Sequence, residues 1–133
     1  MNTDVMIDLE TLDTLPTTVV LSIGIVEFNP QKGIVDTERG LCLYPDIQEQ
    51  LDAGRTISAS TLEWWMKQSD EARKNTFNVR RKSINETCEN IRNFFSFMDR
   101  PKAWGNGSVF DITIIENFME YTKVPWKFWD IMD

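Results

Sequence analysis

The 133-residue sequence contains no histidine. That absence removes Ser-His-Asp and Cys-His catalysis and every imidazole-based metal site. Cysteine is scarce: Cys42 and Cys88 lie far apart, with no C-x-x-C or metal-ligand spacing. They are expected as buried thiols in a reducing cytosol. No long apolar run is present either. Val19 to Phe28 is interrupted by Ser22 and Glu27, far short of the ~20 residues that a membrane helix needs. The start, Met1-Asn2-Thr3-Asp4, is acidic where a signal peptide would be basic. A soluble, cytoplasmic protein without a membrane partner is the expectation. Its chemistry must come from carboxylates, hydroxyls, lysine or bound metal.

What is present suits one folded domain over residues 1–133. Hydrophobic residues make up 41%, enough for a core, and the 26% charged fraction argues against disorder. The net charge of −7 counts against a protein that grips nucleic acid over a wide surface. Its distribution softens that objection. From Lys67 to Lys82, six basic residues (Lys67, Arg73, Lys74, Arg80, Arg81, Lys82) stand against two acids (Asp70, Glu71), which leaves eight basic and nineteen acidic residues elsewhere. Such a segment can set cations between carboxylates and a phosphate, or simply be a solvated helix face.

Val5-Met6-Ile7-Asp8-Leu9-Glu10 alternates with period two and predicts a strand. Val19 to Phe28 predicts a second, and Ile34 to Tyr44 a third that returns antiparallel after a turn at Gly33, with a bulge at Gly40. Helical patterns follow Pro45. Ser60-Thr61-Leu62-Glu63 reads as a capping box, with Leu62, Trp65 and Met66 on one face. Ser69 caps a short continuation. Ser83-Ile84-Asn85-Glu86 is a second capping box, ahead of an apolar stripe of Ile84, Cys88, Ile91, Phe95 and Met98 that Pro101 stops. Lys102-Ala103-Trp104 predicts a short strand, and Gly105-Asn106-Gly107 a tight loop. Ser108 then caps a helix reaching about Tyr121. Together these give a mixed α/β domain on one sheet.

Asp8 and Glu10, two apart on a strand, leave the same face. Adjacent carboxylates repel, and a divalent cation between them turns repulsion into attraction. On an exposed strand the same pair can merely meet water. Asp111 follows a Gly-containing loop into a first helical turn, where it could bind metal or complement the helix dipole. In the adjacent pair Trp64-Trp65 only one ring can point inward. Trp65 is expected buried with Leu62, leaving Trp64 on the surface for packing or for stacking on a base.

Ile7-Asp8-Leu9-Glu10-Thr11 resembles the first motif of the DEDD (DnaQ-like) 3′–5′ exonucleases, and Asn106-Gly107-Ser108-Val109-Phe110-Asp111 the second. The segment Thr61-Leu62-Glu63-Trp64-Trp65-Met66-Lys67-Gln68-Ser69-Asp70-Glu71-Ala72-Arg73 is similar to the phage exonuclease-A branch and its prophage exodeoxyribonuclease VIII-like relatives. Pro125-Trp126-Lys127-Phe128-Trp129-Asp130 continues the likeness.

The resemblance implies an RNase H-like mixed sheet flanked by helices, and two-metal hydrolysis of phosphodiester bonds with Mg²⁺ or Mn²⁺. Asp8, Glu10 and Asp111 are then the metal-binding and catalytic carboxylates. Thr11 and Leu12 meet the 3′ nucleotide through their backbone, and Asn106 and Phe110 belong to the same substrate-binding rim. Glu116, on the Asp111 helix, could lean towards the metals. The implied partner is DNA or RNA with a free 3′ end.

The family also carries a histidine or tyrosine base and a fourth aspartate in a third motif, and these 133 residues lack it. Neither Tyr121, Asp130 nor Asp133 is placed to replace those groups. The chain is therefore expected as a C-terminally truncated domain without the final helical part, weak or inactive as a nuclease. Its uncovered sheet face would suit a second copy of the chain. The alternative is a non-catalytic remnant of the nuclease fold that binds nucleic acid or protein.

Overall fold

Alternating side chains build the sheet. In strand β1 (Asp4–Thr11), Val5, Ile7 and Leu9 are buried, whereas Asp8 on the opposite face is exposed and Glu10 half-buried. Strands β2 (Val20–Asn29) and β3 (Ile34–Leu43) continue it as an antiparallel meander. On the other side of β1, strand β4 (Lys102–Gly105) runs parallel to it, and β5 (Ile131–Met132) runs parallel to β4. The order is β3-β2-β1-β4-β5. This computed structural model describes residues 4–31, 34–106, 110–120 and 123–132. The expected Gly33 turn, Ser108 cap, Tyr121 and Asp133 lie outside the described residues.

Among the described residues five α-helices flank the sheet: α1 (Ile47–Asp52), α2 (Ala59–Met66), α3 (Asp70–Phe77), α4 (Ile84–Phe95) and α5 (Phe110–Phe118). The main core gathers Val5, Ile7 and Leu9 with Ile91 and Phe95 of α4 and Ile112, Ile115 and Phe118 of α5. Each such side chain contributes about 1.5–3 kcal/mol on burial. A smaller cluster joins Leu12, Val19 and Leu21 to Trp65 of α2.

Where β2 runs past the end of β3, side chains complete its hydrogen bonding. Gln50 of α1, fully buried, accepts from Val20 N at 2.7 Å and donates to Val20 O at 2.9 Å. Arg81 donates to Leu21 O at 2.9 Å. Unbonded, these backbone groups would carry a desolvation penalty.

The period-two strands, the mixed sheet and the Ser69 and Ser83 caps stand as the sequence implies; Ser83 accepts from Glu86 N and Ser69 from Ala72 N. The bulge at Gly40 is present, since Val26 faces Gly40 whereas Glu27 faces Asp36. Several expectations are corrected. Ser58, not Ser60, caps α2 by accepting from Thr61 N, so the helix begins earlier. Trp65 is buried without Leu62 and Met66, which are 44% and 66% exposed; it is the α2 side chain that joins the cluster of Leu12, Val19 and Leu21. The α4 helix ends at Phe95, leaving Met98 beyond it, and the left-handed Arg100 (φ 49°) turns the chain into β4. α5 stops at Phe118, and Glu120 (φ 64°) is left-handed. Cys42 is exposed on the edge strand, and only Cys88 is buried. Among the described residues no helix is long and apolar enough to cross a membrane.

Candidate active site

Asp8 and Glu10 occupy the solvent-facing side of β1 near its carboxyl end. Their cross-strand neighbours on β2 are Gly24 and Ser22. Cross-strand partners share a face, so Gly24 leaves the space beside Asp8 open. A glycine inside an apolar strand was a signal for such an opening, and sequence reasoning passed over it.

Asp111 arrives from the other end of the chain. The parallel pairing of β1 with β4 stops at Ile7 opposite Gly105, and Asn106 N donates to Ile7 O at 3.0 Å to close the ladder. Just past that point the Asp111 carboxyl, in the first turn of α5, is hydrogen-bonded to the backbone of Asn106 and Leu9. It therefore stands beside β1 on the stretch that carries Asp8 and Glu10.

This placement has electrostatic consequences. Burial, and then the Asp8 charge, pushes Asp111 up to about 6, against the opposing effect of its backbone hydrogen bonds. Burial also raises Glu10, helped by Asp8 and then by Asp111. Asp8 thus raises both of the other carboxylates, and Asp111 adds to the effect on Glu10. Among the described residues no three acidic or cysteine side chains are close enough to form a ready metal cage. The donor set nevertheless fits a hard divalent ion: oxygen ligands only, mutually repelling, and open to solvent at Asp8.

The rim differs in part from expectation. Leu12 is buried, its N–H donates to Val19 O and its carbonyl accepts from Ser58 N, so its backbone is committed within the chain. The Thr11 carbonyl accepts the Trp65 indole N–H at 2.9 Å, and its hydroxyl donates to Asp13 O. Asn106 and Phe110 remain exposed next to Asp111. Trp64 is 53% exposed and meets the Trp65 ring edge-on at 4.9 Å.

Other candidates are engaged elsewhere. Glu116 accepts the Trp126 indole N–H at 3.1 Å rather than leaning towards the carboxylates. Asp130, 3% exposed, accepts from Arg100 Nε with both oxygens, at 3.1 and 3.2 Å, ahead of β5. The basic segment is partly structural. Arg81 also donates to Pro45 O and Thr76 O, Arg73 pairs with Asp70, and Lys82 lies 3.9 Å from Glu86. Lys67, Lys74 and Arg80 are exposed.

Comparison with known proteins supplies the wider setting. The profile of a family described as "3'-5' exoribonuclease Rv2179c-like domain" matches residues 3–133. An exodeoxyribonuclease of Enterobacteria phage T4 is 27% identical over 157 aligned positions, covering 98% of this chain and 68% of the T4 protein. The metal-free E. coli ExoI–ssDNA complex superposes with a TM-score of 0.68 at 15% identity, over 100% of this chain and 28% of that one. Cell-death related nuclease 4 superposes with a TM-score of 0.52 at 10% identity, over 93% of this chain and 43% of that one. The chain spans less than half of either solved protein. At these identities the likeness is one of fold, the RNase H-like nuclease fold with its mixed five-stranded sheet.

Proposed function

Because the chain belongs to the 3′–5′ exoribonuclease Rv2179c-like domain family of exonucleases, we propose that it is the carboxylate-bearing part of a metal-dependent 3′–5′ exonuclease. The T4 relative supports a finer placement in the phage exonuclease-A branch. One is named for RNA and the other for DNA, so both polymers belong in the test. The ExoI complex with ssDNA supports a nucleic-acid partner.

The carrying observation is the mutual coupling of Glu10 and Asp111 with Asp8, from opposite ends of the chain, at the end of the β1–β4 ladder. Asp8, Glu10 and Asp111 would hold Mg²⁺ or Mn²⁺. Such ions polarise the phosphoryl oxygen and make bound water more acidic. Within the protein, the backbone of Leu9 and Asn106 orients the Asp111 carboxyl, and Gly24 keeps the approach to Asp8 clear. Asn106 and Phe110 flank the bond to be cut. Hydrolysis also needs a proton acceptor. Asp111 titrates near 6 only while its charge is unopposed, and a cation would lower it. With no histidine in the sequence, these residues should be a weak nuclease or none; loss of a general base costs about 10²–10⁴ in rate.

The test is digestion of 5′-labelled single strands of DNA and RNA with Mg²⁺ or Mn²⁺. The 133-residue chain is compared with a version extended through a histidine- or tyrosine-containing third motif. The extended protein should shorten strands from the 3′ end, and Asp8→Ala or Asp111→Ala should abolish this. An extended protein inert on both polymers would refute the reading. Tight strand binding without cleavage would favour the second reading, a non-catalytic nucleic-acid-binding remnant.

A further inference from the structure

Arg55 sits between α1 and α2, distant in sequence from all three carboxylates, yet it joins the structures that carry them. Its Nε donates to Thr18 O at 2.7 Å and Nη2 to Pro16 O at 3.0 Å, both in the segment connecting β1 to β2. Its Nη1 donates to Asn117 Oδ1 at 3.0 Å, in the last turns of α5. The guanidinium also lies over the Phe118 ring, 5.4 Å from its centroid. Glu10 is the penultimate residue of β1 and Asp111 stands in the first turn of α5. One side chain therefore links the helix that carries Asp111 to the connection that follows the strand carrying Asp8 and Glu10.

We propose that Arg55 is a positioning residue for that site: through Asn117 it fixes where α5 lies against the β1–β2 connection, and so how near Asp111 stands to Asp8 and Glu10. This rests on the metal-binding reading above. Burying a cation is costly, and a well-packed apolar residue often stabilises a fold as well or better. The planar guanidinium fork instead offers several donors at fixed angles, which suits it to fixing three acceptors on two elements. On its other side α5 is tied to the segment before β5 through Glu116 and Trp126. Arg55 ties it to the β1–β2 connection, in addition to the bond from Asp111 to the Leu9 backbone.

The test is Mn²⁺ affinity, read from the free-ion EPR signal, alongside the metal-free melting temperature. Asn117→Leu cuts the α5 arm but keeps both loop bonds. Asn117→Asp keeps the acceptor. Arg55→Lys keeps the charge but not the fork. We expect Asn117→Leu and Arg55→Lys to melt cooperatively and bind Mn²⁺ about tenfold more weakly, the scale seen for residues that orient metal ligands. Asn117→Asp should bind like the wild type. A purely structural role would lower the melting temperature and leave the affinity unchanged, which would overturn the proposal. So would an Asn117→Asp as weak as Asn117→Leu. Should Asn117→Leu fail to fold, Arg55→Lys decides alone. A wild-type chain that takes up no Mn²⁺ sinks the metal reading and this inference with it, whereas a binding wild type with unaffected variants sinks this inference only.

Discussion

The indole N–H of Trp65 donates to the carbonyl of Thr11 at 2.9 Å, tying helix α2 to the strand residue that follows Glu10. Trp65 is 5% exposed and packs edge-on against Phe77 at 5.5 Å. Trp65→Phe keeps an aromatic ring but leaves the carbonyl unpaired, and should cost about 1–3 kcal/mol. Trp65→Ala adds a cavity and should cost about 3–5 kcal/mol. Urea unfolding midpoints check both. Trp64→Ala, on the exposed ring, should cost far less; equal losses at the two positions would contradict the assignment of Trp65 as the anchor.

The second prediction links metal and pH. Asp111 is raised from an ordinary value of 3.8 to about 6, so the folded chain binds that proton more tightly than the unfolded chain. The resulting stabilisation is fully present below the unfolded value and is lost as pH rises through about 6. Metal-free stability from this group should therefore fall across that window, and Asp111→Asn should melt higher than wild type at pH 7. Added Mg²⁺ or Mn²⁺ should raise the wild-type melting temperature, more at pH 7 than at pH 5, because ion and proton compete for the carboxylates. At a hundred times Kd the ion contributes about 2.7 kcal/mol. Asp8→Asn should lose the response. Calorimetry at the two pH values measures all of this.

Asp130 provides a contrasting acid. Its carboxylate accepts only from the Arg100 side chain among its described hydrogen bonds, at the amino end of β5. Asp130→Asn should destabilise the chain by roughly 1.5–3 kcal/mol, the scale for a hydrogen bond to a charged group. The Mg²⁺-induced shift in melting temperature should stay the same. A lost shift would make Asp130 part of the metal site.

Much of this was legible because burial imposes periodicity. Ile7-Asp8-Leu9-Glu10 shows which side of β1 each acid takes, since a strand alternates faces. The Ile84, Cys88 and Ile91 stripe marks α4 in the same way. The cap at Ser58 was missed because Ser60 and Glu63 mimic a capping box two residues later. Helix α1 has only six residues and buries Gln50, a polar residue that no apolar pattern reveals. Arg81 reads as a surface cation until its three carbonyl acceptors, two of them distant in sequence, are brought beside it. The approach of Asp111 to Asp8 depends on β4 pairing beside β1. Such long-range adjacency leaves no local trace, and resemblance to a known family supplied it.

The Gln50 amide stands in for a missing neighbouring strand, offering Val20 both an acceptor and a donor. The exchange of the Val20 amide proton with solvent is thereby governed by a helix. Whenever α1 opens, that proton loses its acceptor although the strand around it stays paired. Amides of β2 that face β1 should exchange only on global unfolding, whereas Val20 should follow the faster local opening of α1. Deuterium uptake at Val20 would then serve as a clock for the loosening of a six-residue helix that has few other probes.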